Sequence, residues 1–214
     1  MSSPTASPAS LAASVRSVSV EKYAGGAVVP LADRVPVEEP LEIKLAFDRG
    51  ALRTVRSVAV TMRTPGHDLE LATGFLTTEG ILHSRDEIAD MSQPAANVVR
   101  IDLAAGAAPD LRGLERNFYT TSSCGVCGKA SLAAVRTVAK SPLPAGRPRL
   151  SAALVPELPE RLRAAQPLFE HTGGLHAAGL FDASGRLLVA REDVGRHNAV
   201  DKLVGARLLA GTLP

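Results

Sequence analysis

Apolar and polar positions alternate through much of the first hundred residues. Leu41, Ile43, Leu45 and Phe47 recur at period two between polar neighbours, the pattern of a half-buried strand, and Val58, Val60 and Met62 repeat it. The Asp48-Arg49-Gly50 break between the two runs predicts antiparallel neighbours. Further strands are expected from Val15 to Tyr23 and from Asn97 to Leu103. At Arg63-Thr64-Pro65-Gly66 the period changes. Asp68 is the expected cap of a helix carrying Leu69, Ala72, Phe75 and Leu76 on one face, with Gly80 as its end.

A loop is expected from Ala104 to Arg112. Beyond it, Leu132, Val135 and Val138 follow a helical period, and Ser141 to Arg149 reads as a Pro-rich linker. A helix opening near Pro156 carries Leu158, Leu162 and Ala165. His176 to Phe181 and Leu187 to Ala190 read as strands around a turn at Ala183-Ser184-Gly185. A final helix begins near His197 and places Val200, Leu203, Val204 and Leu208 on its apolar side. This order predicts mixed α and β structure. It divides into a Ser/Ala/Pro-rich disordered tail (1–14), a smaller strand-rich N-terminal region with one helix (15–116), and a second domain (117–214).

The 214 residues suffice to bury a sizeable core. Only 3% are aromatic and none is Trp, so that core must be built from Val, Leu and Ala. A net charge of +2 gives no electrostatic ground for nucleic-acid binding. No apolar run reaches the roughly 20 residues of a membrane span. The N-terminus also lacks the basic start and apolar stretch of a secretory signal. A cytoplasmic location is the expectation, and disulfides rarely persist there.

That shifts attention to Cys124 and Cys127, the only two thiols, three positions apart in a loop of small residues leading into a predicted helix. The thiolate is the reactive form, and a helix N-terminus and nearby Lys129 both favour negative charge on sulfur. Gly125 and Gly128 leave room for a partner to approach. Such a site can accept a sulfur atom, hold it as a persulfide and pass it on. Two thiols also supply half of a tetrahedral zinc site, which His171 and His176 could complete, though their spacing fits no common zinc pattern. A redox role and inert structural thiols are further alternatives that spacing leaves open.

Three stretches resemble the formate dehydrogenase accessory sulfurtransferase family. They are Met62-Arg63-Thr64-Pro65-Gly66 with Gly74-Phe75-Leu76 and Glu79-Gly80-Ile81; Ser122-Ser123-Cys124-Gly125-Val126-Cys127-Gly128-Lys129; and Thr172-Gly173-Gly174-Leu175-His176 through Phe181-Asp182 to the run from Glu192 to Lys202. The resemblance implies an α/β, cytidine-deaminase-like domain behind a smaller mixed α+β region, usually as a homodimer. It implies a cytoplasmic carrier that takes persulfide sulfur from a cysteine desulfurase. The carrier passes that sulfur to a molybdenum or tungsten bis-guanine-dinucleotide cofactor, a client rather than a resident group, for formate dehydrogenase. Cys124 corresponds to the persulfide-bearing position and Cys127 to its partner. Family members usually continue well beyond Pro214, so the second domain is expected to be incomplete.

The resemblance also turns polar residues into candidate cofactor contacts. Glu192, Asp193, Arg196, His197 and Asn198 read as a phosphate- and guanine-binding edge at a helix start, against the alternative of a capped helix with solvated charges. His197 is a possible acid or base, or a hydrogen-bonded structural residue. Lys202 closes the same motif, and Lys129 and Arg196 would favour anions. Arg63 either holds a loop against the ligand or sits at the surface of a strand-to-helix turn. Gly174 and His176 either admit the cofactor to the backbone or only make a turn. No metal ligands are assigned. His176-Ala177-Ala178 lacks the general acid/base Glu of zinc deaminases, and the Cys pair precedes the His, which argues against deamination. The rival function is a non-catalytic cofactor-binding chaperone for formate dehydrogenase.

Overall fold

The computed structural model describes residues 13–111, 146 and 149–213. Eight strands form three sheets among them. β1 (Val15–Ala24) and β2 (Ala27–Pro36) make an antiparallel ribbon. β3 (Glu39–Arg49), β4 (Leu52–Arg63), β5 (Ile88–Ala95) and β6 (Val98–Leu103) form a sheet in the order β4-β3-β6-β5. β7 (His176–Phe181) and β8 (Leu187–Asp193) form a hairpin. The helices are α1 (Asp68–Thr78), the short α2 (Leu158–Arg163) and α3 (Pro167–Thr172), and α4 (Arg196–Leu209). This is the expected mixture of α and β. No helix among the described residues is long and apolar enough to cross a membrane.

The alternation on β3 puts Leu41, Ile43, Leu45 and Phe47 into the core. β3 pairs antiparallel with β4, as expected, and parallel with β6, so Val99, Ile101 and Leu103 join the same layer. Leu71, Ala72 and Leu76 of α1 and Leu208 of α4 close it from above. On β4 the expectation holds only in part. The β3–β4 register shifts between Ile43 and Lys44, leaving Val58 as an extra residue between Ser57 and Ala59. A bulge reverses which side chains face inward. Val58 is therefore buried while Val60 and Met62 stand exposed.

α1 ends as expected. Gly80 has φ 74, its N–H reaches the Thr77 carbonyl, and Ile81 N–H reaches that of Leu76. That is the double bond of a Schellman end, where a left-handed Gly carries no Cβ penalty. The start of α1 differs from the expectation. The cap position is His67, at φ 58 with no side-chain capping bond, and Asp68 is already helical. The Asp68 carboxylate is engaged by Arg63 instead.

The final helix lies where expected but turned. Its buried side is Asn198, Ala199, Asp201, Lys202, Gly205 and Leu208, and Val200 is exposed. Two glycines explain the rotation. A Cβ on Gly74 of α1 would lie 1.8 Å from the Asp201 carbonyl oxygen, and one on Gly205 would lie 1.9 Å from that of Glu70. The helices meet backbone to backbone at these points. This packing joins the regions on either side of position 116. Ser14, counted above with the tail, is buried and donates to the Pro65 carbonyl at 2.8 Å; residues 1–12 lie outside the described residues.

Gly205→Ala should therefore destabilise the protein by about 1–3 kcal/mol, because overpacking against a backbone cannot be relieved by a rotamer change. Alanine's helix propensity offsets up to about 1 kcal/mol of that. Urea unfolding would show a lower midpoint; an unchanged or higher midpoint would contradict the close crossing.

Asp201 gives a second prediction. Burial, with Glu79 and Asp193 nearby, raises its carboxyl to about 7, although Thr78 Oγ1 donates to it at 2.8 Å. Its ordinary value is 3.8. Between those values the folded chain holds a proton that the unfolded chain has lost, so stability falls as pH rises from about 4 to 7. Asp201→Asn should flatten this slope and be more stable than wild type at pH 8, by on the order of 3 kcal/mol. Parallel stability–pH curves for the two proteins would contradict it.

Candidate functional site

The geometry is organised around the end of β4 and the turn that follows. Arg63 is 2% exposed, which removes the surface reading. Its Nε and Nη2 bind Asp68 at 3.0 and 2.9 Å, a fork matched to a carboxylate. Nη2 also donates to Asn97 Oδ1 at 2.8 Å and Nη1 to the Glu39 carbonyl at 3.3 Å. The guanidinium thus ties β3, the β5–β6 turn and the start of α1 together.

One residue on, Thr64 is fully buried against the second half of the chain. Its N–H donates to Asp193 Oδ2 at 3.2 Å, and its Oγ1 accepts from Val194 N–H at 3.2 Å. Asp193 is 0% exposed and Lys202 is 1% exposed, and Lys202 Nζ lies 2.7 Å from Asp193 Oδ2. Lys202 also donates to the carbonyls of Thr64 at 2.8 Å and Glu192 at 3.2 Å. Asp193 Oδ1 accepts from Gly195 N–H at 2.8 Å and Asn198 Nδ2 at 2.9 Å. Asn198 reaches Met62 O at 2.8 Å and accepts from Thr61 Oγ1 at 3.2 Å. Burial pulls the Lys202 ammonium below the usual lysine range while Asp193 pulls the other way. A charge so buried is tolerable only when paired and bonded, and here it is both.

Glu192 turns away from this cluster. Its carboxylate accepts from the N–H groups of Leu168 at 3.0 Å and Phe169 at 2.7 Å, capping α3 from outside that helix. Burial raises its pKa despite those bonds. Gly174, His176, Arg196 and His197 are exposed. Gly174 passes close to Pro36, whose Cδ and Cγ would lie 3.2 Å from an added Cβ. The candidate contacts thus fall into two sets. Arg63, Glu192, Asp193, Asn198 and Lys202 are spent on protein partners, and Gly174, His176, Arg196 and His197 are exposed.

Cys124, Cys127 and Lys129 lie outside the described residues. Among the described residues no three His, Cys, Asp or Glu side chains gather in a way that could hold a metal ion. Sequence reasoning gave no site role to Thr64, Asp68 or Asn97, which complete the network, and passed over a further cluster beside it. There His67 Nδ1 lies 3.1 Å from Glu70 Oε2, and Arg191 grips Glu70 through Nε at 2.5 Å and Nη2 at 2.8 Å. The opposite charges of Arg63 and Asp68, five positions apart in one motif, were a usable signal. Nothing in the sequence signals that Glu70 and Arg191, 121 positions apart, meet.

Comparison with known proteins places this arrangement. A sulfur carrier protein FdhD from Streptomyces avermitilis is 51% identical over 200 residues, covering 88% of this chain and 68% of that protein. One from Mycolicibacterium paratuberculosis is 48% identical over 204 residues, covering 91% and 72%. Similarity extends to Sulfolobus acidocaldarius, at 38% identity over 200 residues. A solved structure, that of a Desulfotalea psychrophila protein assigned as a formate dehydrogenase accessory protein, superimposes with a TM-score of 0.62. It covers 92% of this chain and 68% of that one, and at 22% identity it shows a shared fold. The family profile of FdhD/NarQ matches residues 36–214. With half the residues shared across nearly the whole chain, and a matching fold, this protein belongs to the FdhD/NarQ family.

Proposed function

We propose that this protein is a sulfur carrier for formate dehydrogenase. It would accept sulfur from a cysteine desulfurase on Cys124 and deliver it to the molybdenum or tungsten bis-guanine-dinucleotide cofactor, its substrate. The observation that carries this reading is family membership together with a Cys124-Gly-Val-Cys127 pair that contains the only thiols in the chain. The thiolate attacks the outer sulfur of the donor persulfide; the donor S–S bond breaks, the donor thiolate leaves, and Cys124 becomes the persulfide. Cys127 serves as relay or protective partner. The reaction is an exchange and needs no oxidant or reductant.

The exposed set formed by Gly174, His176, Arg196 and His197 supports a cofactor-docking edge, because Arg196 can meet phosphate and a glycine lets a ligand approach the backbone. The buried set contributes by holding that edge. A cytoplasmic homodimer with a cytidine-deaminase-like second domain belongs to the same reading.

Incubation with a cysteine desulfurase and cysteine, followed by intact mass without reductant, should show a gain of one sulfur that reductant removes. Cys124→Ala should abolish the gain and leave the unfolding midpoint unchanged, while Cys127→Ala should still load. Loading retained in Cys124→Ala would sink the assignment. No loading by wild type, with guanine-nucleotide binding independent of both cysteines, would favour the cofactor-binding chaperone instead.

A further inference from the structure

The stretch Glu79-Gly80-Ile81 carries part of the family resemblance and has no place in the network around Thr64. It begins at the last turn of α1, where that helix meets α4. A Cβ on Gly74 would lie 1.8 Å from the Asp201 carbonyl oxygen, so the two backbones touch at Asp201 itself. The Asp201 side chain is buried there and reaches Thr78. Lys202, the next residue, is turned to Asp193 and to the carbonyls of Thr64 and Glu192, and it holds α4 in place. Thr78 is exposed, between the buried anchors Leu76 and Ile81, so the last turn of α1 is the side that can move.

Thr78 Oγ1 stands 2.8 Å from Asp201 Oδ1 and 3.2 Å from the Phe75 carbonyl oxygen. A hydroxyl has one hydrogen, and a carboxylate and a carbonyl both only accept. With Asp201 ionised, Thr78 can satisfy one of them and the other contact lacks a proton. With Asp201 protonated, its carboxyl donates to Thr78 and Thr78 donates to Phe75, so both contacts are satisfied. The surroundings favour the same state. Glu79 at the end of α1 and Asp193 at the end of β8 face an ionised Asp201 with like charge. The last carbonyls of a helix carry partial negative charge and disfavour an anion beside them. Further out, Asp68 is held by Arg63, Glu70 by Arg191 and His67, and Glu192 by the α3 amides. His197, one turn earlier on α4, and His176 on β7 are exposed.

We propose that Thr78 and Asp201 form a proton-operated latch on residues 77–80, shut while the Asp201 carboxyl keeps its proton and released when it ionises. On ionisation the proton passes to solvent and the Thr78 hydrogen turns toward the carboxylate. A small swing of Thr78 and Glu79 then admits water to the charge. Glu79 and Gly80 give up their N–H bonds to the Phe75 and Thr77 carbonyls in that swing. Burial and the two neighbouring carboxylates raise the Asp201 carboxyl to about 7, against 3.8 ordinarily. The open turn returns the carboxyl to water and to its ordinary value. Opening therefore grows as pH rises through about 4 to 7 and levels off above that. The latch is a property of the fold and does not depend on the sulfur-carrier reading.

The test is amide hydrogen exchange of the full chain by NMR, corrected for the intrinsic rate at each pH. Glu79 and Gly80 should exchange through a local opening that low urea leaves unchanged, because little surface is exposed in it. The opening constant should rise about tenfold between pH 6 and pH 8. Asp201→Asn puts an N–H donor where the protonated carboxyl has its O–H, so this variant should show no such rise. Exchange of Glu79 and Gly80 that follows the core amides of Ile43 and Ile101 in both urea and pH would overturn the proposal. These bonds would then break only when the whole chain unfolds. An equal rise in Asp201→Asn would overturn it as well.

Discussion

A lysine and an aspartate, both sealed from water at 2.7 Å, hold this fold at its centre. Removing either charge from water is expensive, and the structure offsets that by leaving no polar atom of the pair idle. Lys202 adds two backbone carbonyls, and Asp193 adds two backbone N–H groups and the Asn198 amide. Each of those partners belongs to the end of β4 or to the β8–α4 junction. The pair therefore works as a rivet between the first and second halves of the chain. Directional bonds of this kind specify one docking geometry, where apolar contact alone would tolerate several.

From that rivet the rest follows outward. Fixing Thr64 fixes the turn to His67, and Arg63 fixes the first residue of α1 through Asp68. With α1 and α4 placed, Gly74 and Gly205 allow their backbones to touch, and Arg191 comes within reach of Glu70. His67, Gly174, His176, Arg196 and His197 remain exposed at the surface. Motif residues that look alike in a sequence thus have opposite settings, some buried as framework and some exposed at the surface.

Much of the framework was legible from the chain alone, for physical reasons. β3 shows a clean period of two because one of its faces packs against helices, and Gly80 marks the end of α1 because only glycine sits easily at φ 74 there. β2 was missed because it is exposed nearly throughout and contains Pro30, so it lacks the alternation that burial imposes. β5, with Asp90, Ser92, Gln93 and Pro94, hides for the same reason. The short α3 was passed over because its first turn is capped by Glu192, 23 positions away. α4 was placed but turned, since an apolar-face rule cannot foresee a helix that buries Asp201 and Lys202 and packs through glycine. The motif around Asp193, Asn198 and Lys202 stood out at once, yet its partner Thr64, 129 positions away, is a fact of the fold.

The central claim is that Asp193 and Lys202 act as one structural unit, and a double-mutant cycle measures that coupling. Unfolding free energies of Asp193→Asn, Lys202→Met and the double variant would be compared with wild type at pH 7. Each single change leaves a buried charge without its partner and should cost about 3–5 kcal/mol, while the double variant should cost well under the sum of the two. Single losses below about 1 kcal/mol that simply add would mean the pair is dispensable, and the account of how this turn is held would be wrong.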